Sequence, residues 1–513
     1  MQVNSTLKMV TQINPDALII AQSLDALRAN GTVLGPLHGV PILIKNNIAT
    51  MDKMHNTGGS YALLGARVPR DSGIAAKLRK RGAIILGKTN LSQWADYRSY
   101  NTSNGWSAHG GQVQGAYYPG QDPSGSSSGS GVASSLGLAL AAVGTETDGS
   151  ILSPSNVNNI VGIKPTVGLT SRSLVIPISE HQDSVGPMAR TVMDAAYLLA
   201  AIAGEDPHDN YTWAIPFRSI PDYVAACNSS ALSGKRLGVP RNLIDMTMDK
   251  TAAPITPIFN VALKILEAAG ATIVENTNFT GYEALNNSNS TSIALGADFV
   301  VDLPKNYLSQ LTYNPQNVYT LSDVQNFTHK YPPEDWPERD TLIWNETLHL
   351  GFDNTDPRFW SAYQTNLYLA GDLGVTGALR NYSLDALVVP TEISPHFPAL
   401  IGSPVVTVPL GAYPPNTTVV KNRFGNLNAT APNVPFGISF MGPSWSEEML
   451  IGLAYAFEQR TMVRNTITPY ILPKTELGDV VAKKEMMEQG LWGRVLGNPS
   501  CMKDKSLELP SDR

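Results

Sequence analysis

The residues best placed to do chemistry are serines on two glycine-rich turns and a lysine at the end of an apolar run. Residues 119–172 read PGQDPSGSSSGSGVASSLGLALAAVGTETDGSILSPSNVNNIVGIKPTVGLTSR. A Gly/Ser turn runs directly into Val132–Val143, an apolar stretch that reads as a buried helix, and a second turn follows at Asp148–Ser150. Glycine-rich turns entering buried elements can aim several backbone N–H groups at one point and stabilise negative charge there. Two serine-bearing turns joined by one element suggest paired serines in one pocket, although SGSSSGSG by itself also reads as a flexible linker. A serine hydroxyl becomes a nucleophile near neutral pH only with a proton acceptor within hydrogen-bond reach. Lys45 closes the run Val-Pro-Ile-Leu-Ile at 40–44. Burial there can drive an amine neutral, whereas a lone strand-end lysine more often snorkels to water. Gly125-Ser126-Ser127-Ser128-Gly129 also matches the G-x-S-x-G elbow, which would make Ser127 the nucleophile. That elbow requires a strand directly before it, and YYPGQDPS at 117–124 is a poor one.

Elements able to hold these groups are visible on both sides of the signature. Strand-like runs occur at Val40–Ile44, Ile84–Leu86, Arg236–Pro240 and Ala386–Pro390, and again at 404–411 and 435–441. Helical periodicity is predicted over Asn14–Arg28, Gly73–Arg81 and Glu447–Arg464. This alternation predicts an α/β protein with a largely buried sheet. Residues 275–380 are rich in Asn, Tyr, Trp and Pro and lack strand periodicity. They read as an insertion, either a helical cap, a substrate-facing wall or a surface excursion. The expectation is one catalytic domain over residues 1–475, with this insertion inside it and a tail over 476–513.

Composition narrows the function classes. Of 513 residues 16% are charged, with 37 Lys+Arg against 43 Asp+Glu and a net charge of −6. No basic footprint for nucleic acid or anionic membrane is present, and no apolar run is long enough to span a bilayer. Two cysteines, Cys227 and Cys501, cannot build a disulfide scaffold or a cysteine zinc site, and could form one bridge or none. The eight histidines show no HExxH or paired spacing, so no metal and no cofactor is expected. Asn-x-Ser/Thr triplets are in excess, beginning at Asn4, Asn30, Asn90, Asn101, Asn210, Asn228, Asn278, Asn286, Asn289, Asn326, Asn345, Asn381, Asn416 and Asn428. They point to a secreted glycoprotein whose leader is missing from this chain, a cytoplasmic protein rich in Asn, Ser and Thr being the alternative.

At this point the chain resembles the amidase signature family, from about residue 10 to residue 470. SGSSSGS at 124–130 stands where that family usually has GGSSGGS, and TETDGS at 145–150 stands where TDTGGS is usual. GPLHGVPILIKNNI (35–48), GAIILGKTNLSQWA (82–95), IVGIKPTVGLTSR (160–172), GPMARTVMDAA (186–196) and VPFGISFMGPSWSEEMLIGLAYAFEQ (434–459) continue the likeness in order. The resemblance implies a large central mixed β-sheet flanked by helices on both faces. It also implies a Ser–cisSer–Lys triad with Ser150 as nucleophile, Ser126 as the bridging serine after a cis peptide bond, and Lys45 as base. The backbone N–H groups of Thr147, Asp148, Gly149 and Ser150 would form the oxyanion hole, with Ser127 orienting the relay or serving the fold alone.

The implied activity is hydrolysis of a small-molecule amide by a monomer or homodimer without cofactor. The alternatives are an A-type amidotransferase component that works on charged tRNA, an esterase on the same triad, or an inactive binding protein. Three departures from the family pattern stand out. Asp148 replaces a glycine, and its carboxylate could point away, pair with a base such as Arg172, or select against anionic substrates. Leu152 stands where many members carry Arg, which removes a partner for Glu146. The helices usual before the first motif are mostly missing, which reads as a truncated product. Of the remaining candidates, Glu180-His181-Gln182-Asp183 and Asn104-Gly105-Trp106 could line the site or belong to ordinary loops and core. Lys88 is expected to brace the fold.

Overall fold

The computed structural model describes residues 3–247 and 254–474. Its described strands, in chain order, are β1 (Val10–Ile13), β2 (Pro41–Lys45), β3 (Ile84–Thr89), β4 (Trp106–Ser107), β5 (Gly111–Gln112), β6 (Ala141–Glu146), β7 (Val161–Lys164), β8 (Ser184–Ala189), β9 (Arg236–Val239), β10 (Thr272–Glu275), β11 (Ala386–Pro390), β12 (Val405–Ala412), β13 (Val420–Lys421), β14 (Asn428–Thr430) and β15 (Pro435–Met441). Eleven of them form one mixed sheet in the order β1-β3-β2-β6-β8-β7-β12-β15-β11-β9-β10. β2 runs parallel to both β3 and β6, β9 runs parallel to β10 and β11, and the strands between β6 and β11 are antiparallel. The large central mixed sheet with helices is the expected class. Residues Asn4–Ile471 form one unit; the expected boundary at 475 and the tail at 476–513, with Cys501, lie outside the described residues.

Alternation along β2 explains why Lys45 is buried. Ile42 and Ile44 join the large apolar cluster with Ile74 and Leu78 of helix Gly73–Lys80 and Leu198 of helix Val192–Ile202. Side chains alternate faces along a strand, so Leu43 and Lys45 point to the other side of the sheet. There lies helix Ser128–Ser135, every residue of which is buried. Its serines serve the sheet: Ser130 Oγ donates to Val143 O at 3.2 Å, and Ser134 Oγ donates to Met188 O at 2.9 Å.

Val132–Val143 is not one helix. The helix stops at Ser135, Gly137 turns the chain with φ +67°, and 141–146 continues as β6. A short apolar run carries no periodicity that separates buried strand from buried helix. The insertion proves helical, with helices at Tyr282–Asn286, Ser290–Asn306, Leu321–Lys330, Leu342–His349, Pro357–Asn366 and Val375–Asn381. Its Glu334 ties it to the core. The fully buried carboxylate accepts hydrogen bonds from Ser60 Oγ (2.7 Å), Tyr61 N–H (2.8 Å) and Gln93, and pairs with Arg98 at 3.4 Å.

Candidate active site

Two parallel strands, β2 and β6, end side by side, and the candidate residues gather at their carboxyl ends, where open α/β sheets place ligands. Lys45 is the last residue of β2 and is fully buried. Its Nζ lies 2.7 Å from Ser126 Oγ and donates to Thr145 Oγ1 at 2.9 Å and Thr145 O at 3.2 Å. Ser126 Oγ in turn donates to Ser150 Oγ at 3.0 Å, and the Gly125–Ser126 peptide bond is cis. The structure thus brings Lys45, Ser126 and Ser150 into one hydrogen-bonded line. Burial lowers the Lys45 amine to about 7, although Asp96, Asp183 and Glu146 pull in the opposite direction. An amine near that value can take a proton at neutral pH, so with both hydroxyls rotated toward Lys45 the line can carry a proton from Ser150 to it.

Ser127 is buried and bonded to the backbone of β6, donating to Thr145 O at 3.1 Å and accepting from Thr145 N–H at 3.3 Å. It therefore steadies the residue that holds Lys45. Gly144 makes room for it, since a Cβ there would sit 2.9 Å from Ser127 Oγ. Residues 113–124, directly before the 125–129 turn, hold no strand, only an isolated bridge at Gln121, so the elbow geometry that would make Ser127 the nucleophile is absent.

The segment Thr147–Ser150 is pinned at several points. Thr147 Oγ1 donates to Asp183 Oδ1 at 2.5 Å. Asp183 also accepts from the N–H groups of Ile178 and Ser179, and burial raises its carboxyl to about 6. Gly149 adopts φ +84°, a left-handed conformation that favours glycine. Beyond Ser150, Glu146 Oε2 accepts from the N–H groups of Ile151 (2.6 Å) and Leu152 (2.9 Å) at the start of helix Leu152–Val157. With Leu152 in place of a cation, Glu146 bonds to backbone instead. Burial raises the Glu146 carboxyl above its usual range, with the nearby Lys164 and the two N–H donors pulling the other way.

Asp148 does not meet Arg172. That guanidinium pairs with Asp209 at 2.7 Å, while Asp148 Oδ2 lies 2.6 Å from His396 Nδ1. Asp183 and His396 are the contributors that sequence reasoning left without a role. Asp183 lay inside a polar tetrapeptide with no assigned partner, and no local signal marks His396, which comes from a segment 248 residues away. Lys88 braces the fold as expected, donating to Asn56 Oδ1 at 2.8 Å and to Ile48 O. Trp106 lies under the guanidinium of Arg339, 4.0 Å from the ring centre, where it joins core and insertion.

A large mixed sheet with helices is also the fold of solved amidase structures, and the sequence agrees with that class. The Amidase family matches residues 1–451, and the chain belongs to it. A "putative amidase" of Arthroderma benhamiae is 55% identical, covering 94% of this chain and 80% of the relative. The A-type component of the glutamyl-tRNA(Gln) amidotransferase of Acidothermus cellulolyticus is 41% identical over 86% of this chain and 85% of its own. Among solved structures, the native peptide amidase of Stenotrophomonas maltophilia superimposes with a TM-score of 0.81 at 36% identity, covering 91% of this chain and 93% of that one.

Proposed function

We propose that this amidase-family chain hydrolyses a carboxamide through an acyl-enzyme. Ser150 Oγ attacks the carbonyl carbon while its proton passes through Ser126 Oγ to the neutral amine of Lys45. The C–N bond breaks as the proton returns to the leaving nitrogen, and water then cleaves the Ser150 ester to give the acid. The N–H groups of Thr147, Asp148, Gly149 and Ser150 hold the carbonyl oxygen as it becomes negative. The observation that carries this reading is the Lys45–Ser126–Ser150 line, at 2.7 and 3.0 Å. The likeness to a peptide amidase puts peptide amides first among substrates to test, beside aliphatic and aryl amides and the corresponding esters. Ser150→Ala should abolish hydrolysis with the fold retained. Undiminished turnover in that variant would refute the assignment.

The amidotransferase relatives favour a second reading, ammonia-dependent amidation of charged tRNA. A net charge of −6 supplies no footprint for that partner, and turnover of tRNA in the presence of ammonia would support it. We also assign the chain to the secretory pathway as a glycoprotein, acting alone or as a homodimer. Ten of the fourteen acceptor asparagines are exposed, whereas only Asn90 and Asn428 are buried.

A further inference from the structure

Asp148 creates an electrostatic conflict. It lies within the segment whose N–H groups are to stabilise a developing negative charge, and a second negative charge close by opposes that. Its carboxylate is turned toward His396, which opens the short helix His396–Leu400 in the connection from β11 to β12. Resting on the acyl-enzyme reading, we infer that His396 is a positioning residue for the oxyanion segment. Its imidazolium draws the Asp148 carboxylate away from the reacting atoms and cancels its charge.

The surroundings support that role. Each neighbour of Asp148 in the segment is already fixed: Thr147 by Asp183, and Gly149 through its carbonyl, which accepts from Ser153 N–H at 2.7 Å. The His396 bond orients the side chain that lies between them. The imidazole borders a cavity of about 260 Å³ that Gly149, Tyr282, Glu392 and Phe397 also line. Its side chain is 41% exposed and so reaches solvent. The titratable groups facing it are Asp148, Glu392 and Tyr282, with Glu146 and Lys164 behind the segment. Glu392 accepts from Asn156 Nδ2 at 3.0 Å. Burial disfavours the imidazolium, but the charge and hydrogen bond of Asp148 outweigh it and raise His396 above the usual histidine value.

Activity then requires Lys45 without its proton and His396 with one. The kcat/KM profile should be bell-shaped, with Lys45 on the acid limb and His396 on the alkaline limb. The experiment compares this profile in the full chain, His396→Asn, Asp148→Asn and the double variant, on one amide substrate. Asparagine at 396 keeps a donor near the Nδ1 position but carries no charge. His396→Asn should lower kcat about tenfold, leave KM within about twofold and erase the alkaline limb. Asp148→Asn should erase that limb, and adding His396→Asn to it should then cost little.

In parallel, NMR titration of the His396 ring should show its pKa falling in Asp148→Asn. Persistence of the alkaline limb in both single variants, independent effects in the double variant, or an unmoved His396 titration would each overturn the inference. Activity that survives Ser150→Ala would instead overturn the acyl-enzyme reading, and the NMR measurement reports the pair in either case.

Discussion

Lys45 sits among hydroxyl and carbonyl oxygens, namely Ser126 Oγ, Thr145 Oγ1 and Thr145 O. Burial is the main cause of its depressed pKa, about 7, and the neutral amine is the form that can accept a proton. Raising the pH through that value removes the proton from Lys45, so kcat/KM should rise there. A limb at the ordinary lysine value of about 10.4 would contradict this. Ser127→Ala removes a bridge to both backbone groups of Thr145. It should cost about 1–3 kcal/mol of stability and lower kcat while leaving Ser150 reactive, as thermal melts and a serine-directed probe will report. The two serine turns and the strand-end lysine were visible locally, but it was the family resemblance that singled out Lys45, Ser126 and Ser150 among them. Asp183 and His396 were not, because their partners lie 36 and 248 residues away and nothing local encodes the contact.

Gly149 illustrates how an element constrains the site. Its φ of +84° and the 2.9 Å separation between a built Cβ and Ser153 Oγ leave little room for a side chain. Gly149→Ala should misdirect an N–H donor and cost up to about 2.7–4 kcal/mol of transition-state stabilisation, read as a fall in kcat with amide substrates. The insertion gives a second test. Glu334→Ala strands the buried Arg98 guanidinium and should destabilise the protein by about 3–5 kcal/mol, measured by denaturant unfolding. Strands such as β2, β11 and β12 were readable from β-branched apolar runs between turn residues. The first half of β6, residues 141–143, was read as helix because it closes an Ala- and Leu-rich run that follows a real helix. Helix Ala17–Ala29 was found, but its contact face was not. Leu24 is buried, while Leu18 and Ile19 are 79% and 63% exposed.

The chain buries its signature motifs and leaves most of its Asn-x-Ser/Thr triplets at the surface. Asn90 is fully buried, with its Oδ1 accepting from Ser107 Oγ at 2.7 Å and its Nδ2 donating to Lys8 O at 3.1 Å. Endoglycosidase treatment of the natural product should shift its mobility, and peptide mapping should find Asn278, Asn286, Asn289 and Asn326 modified but Asn90 bare. No shift would refute the glycoprotein assignment. The general outline was legible from alternating helix and strand signals and from ordered motifs across most of the length. How the insertion packs was not, because Glu334 meets its partners Ser60, Gln93 and Arg98 across more than two hundred residues.

The central claim is that Ser150 carries the acyl group. Its most direct test is reaction of the full chain with a fluorophosphonate probe, followed by mass-spectrometric mapping of the modified peptide. The account predicts modification on Ser150, parallel loss of amide hydrolysis, and no labelling of Ser150→Ala. Labelling confined to another residue such as Ser127, or hydrolysis that continues after Ser150 is fully modified, would contradict it.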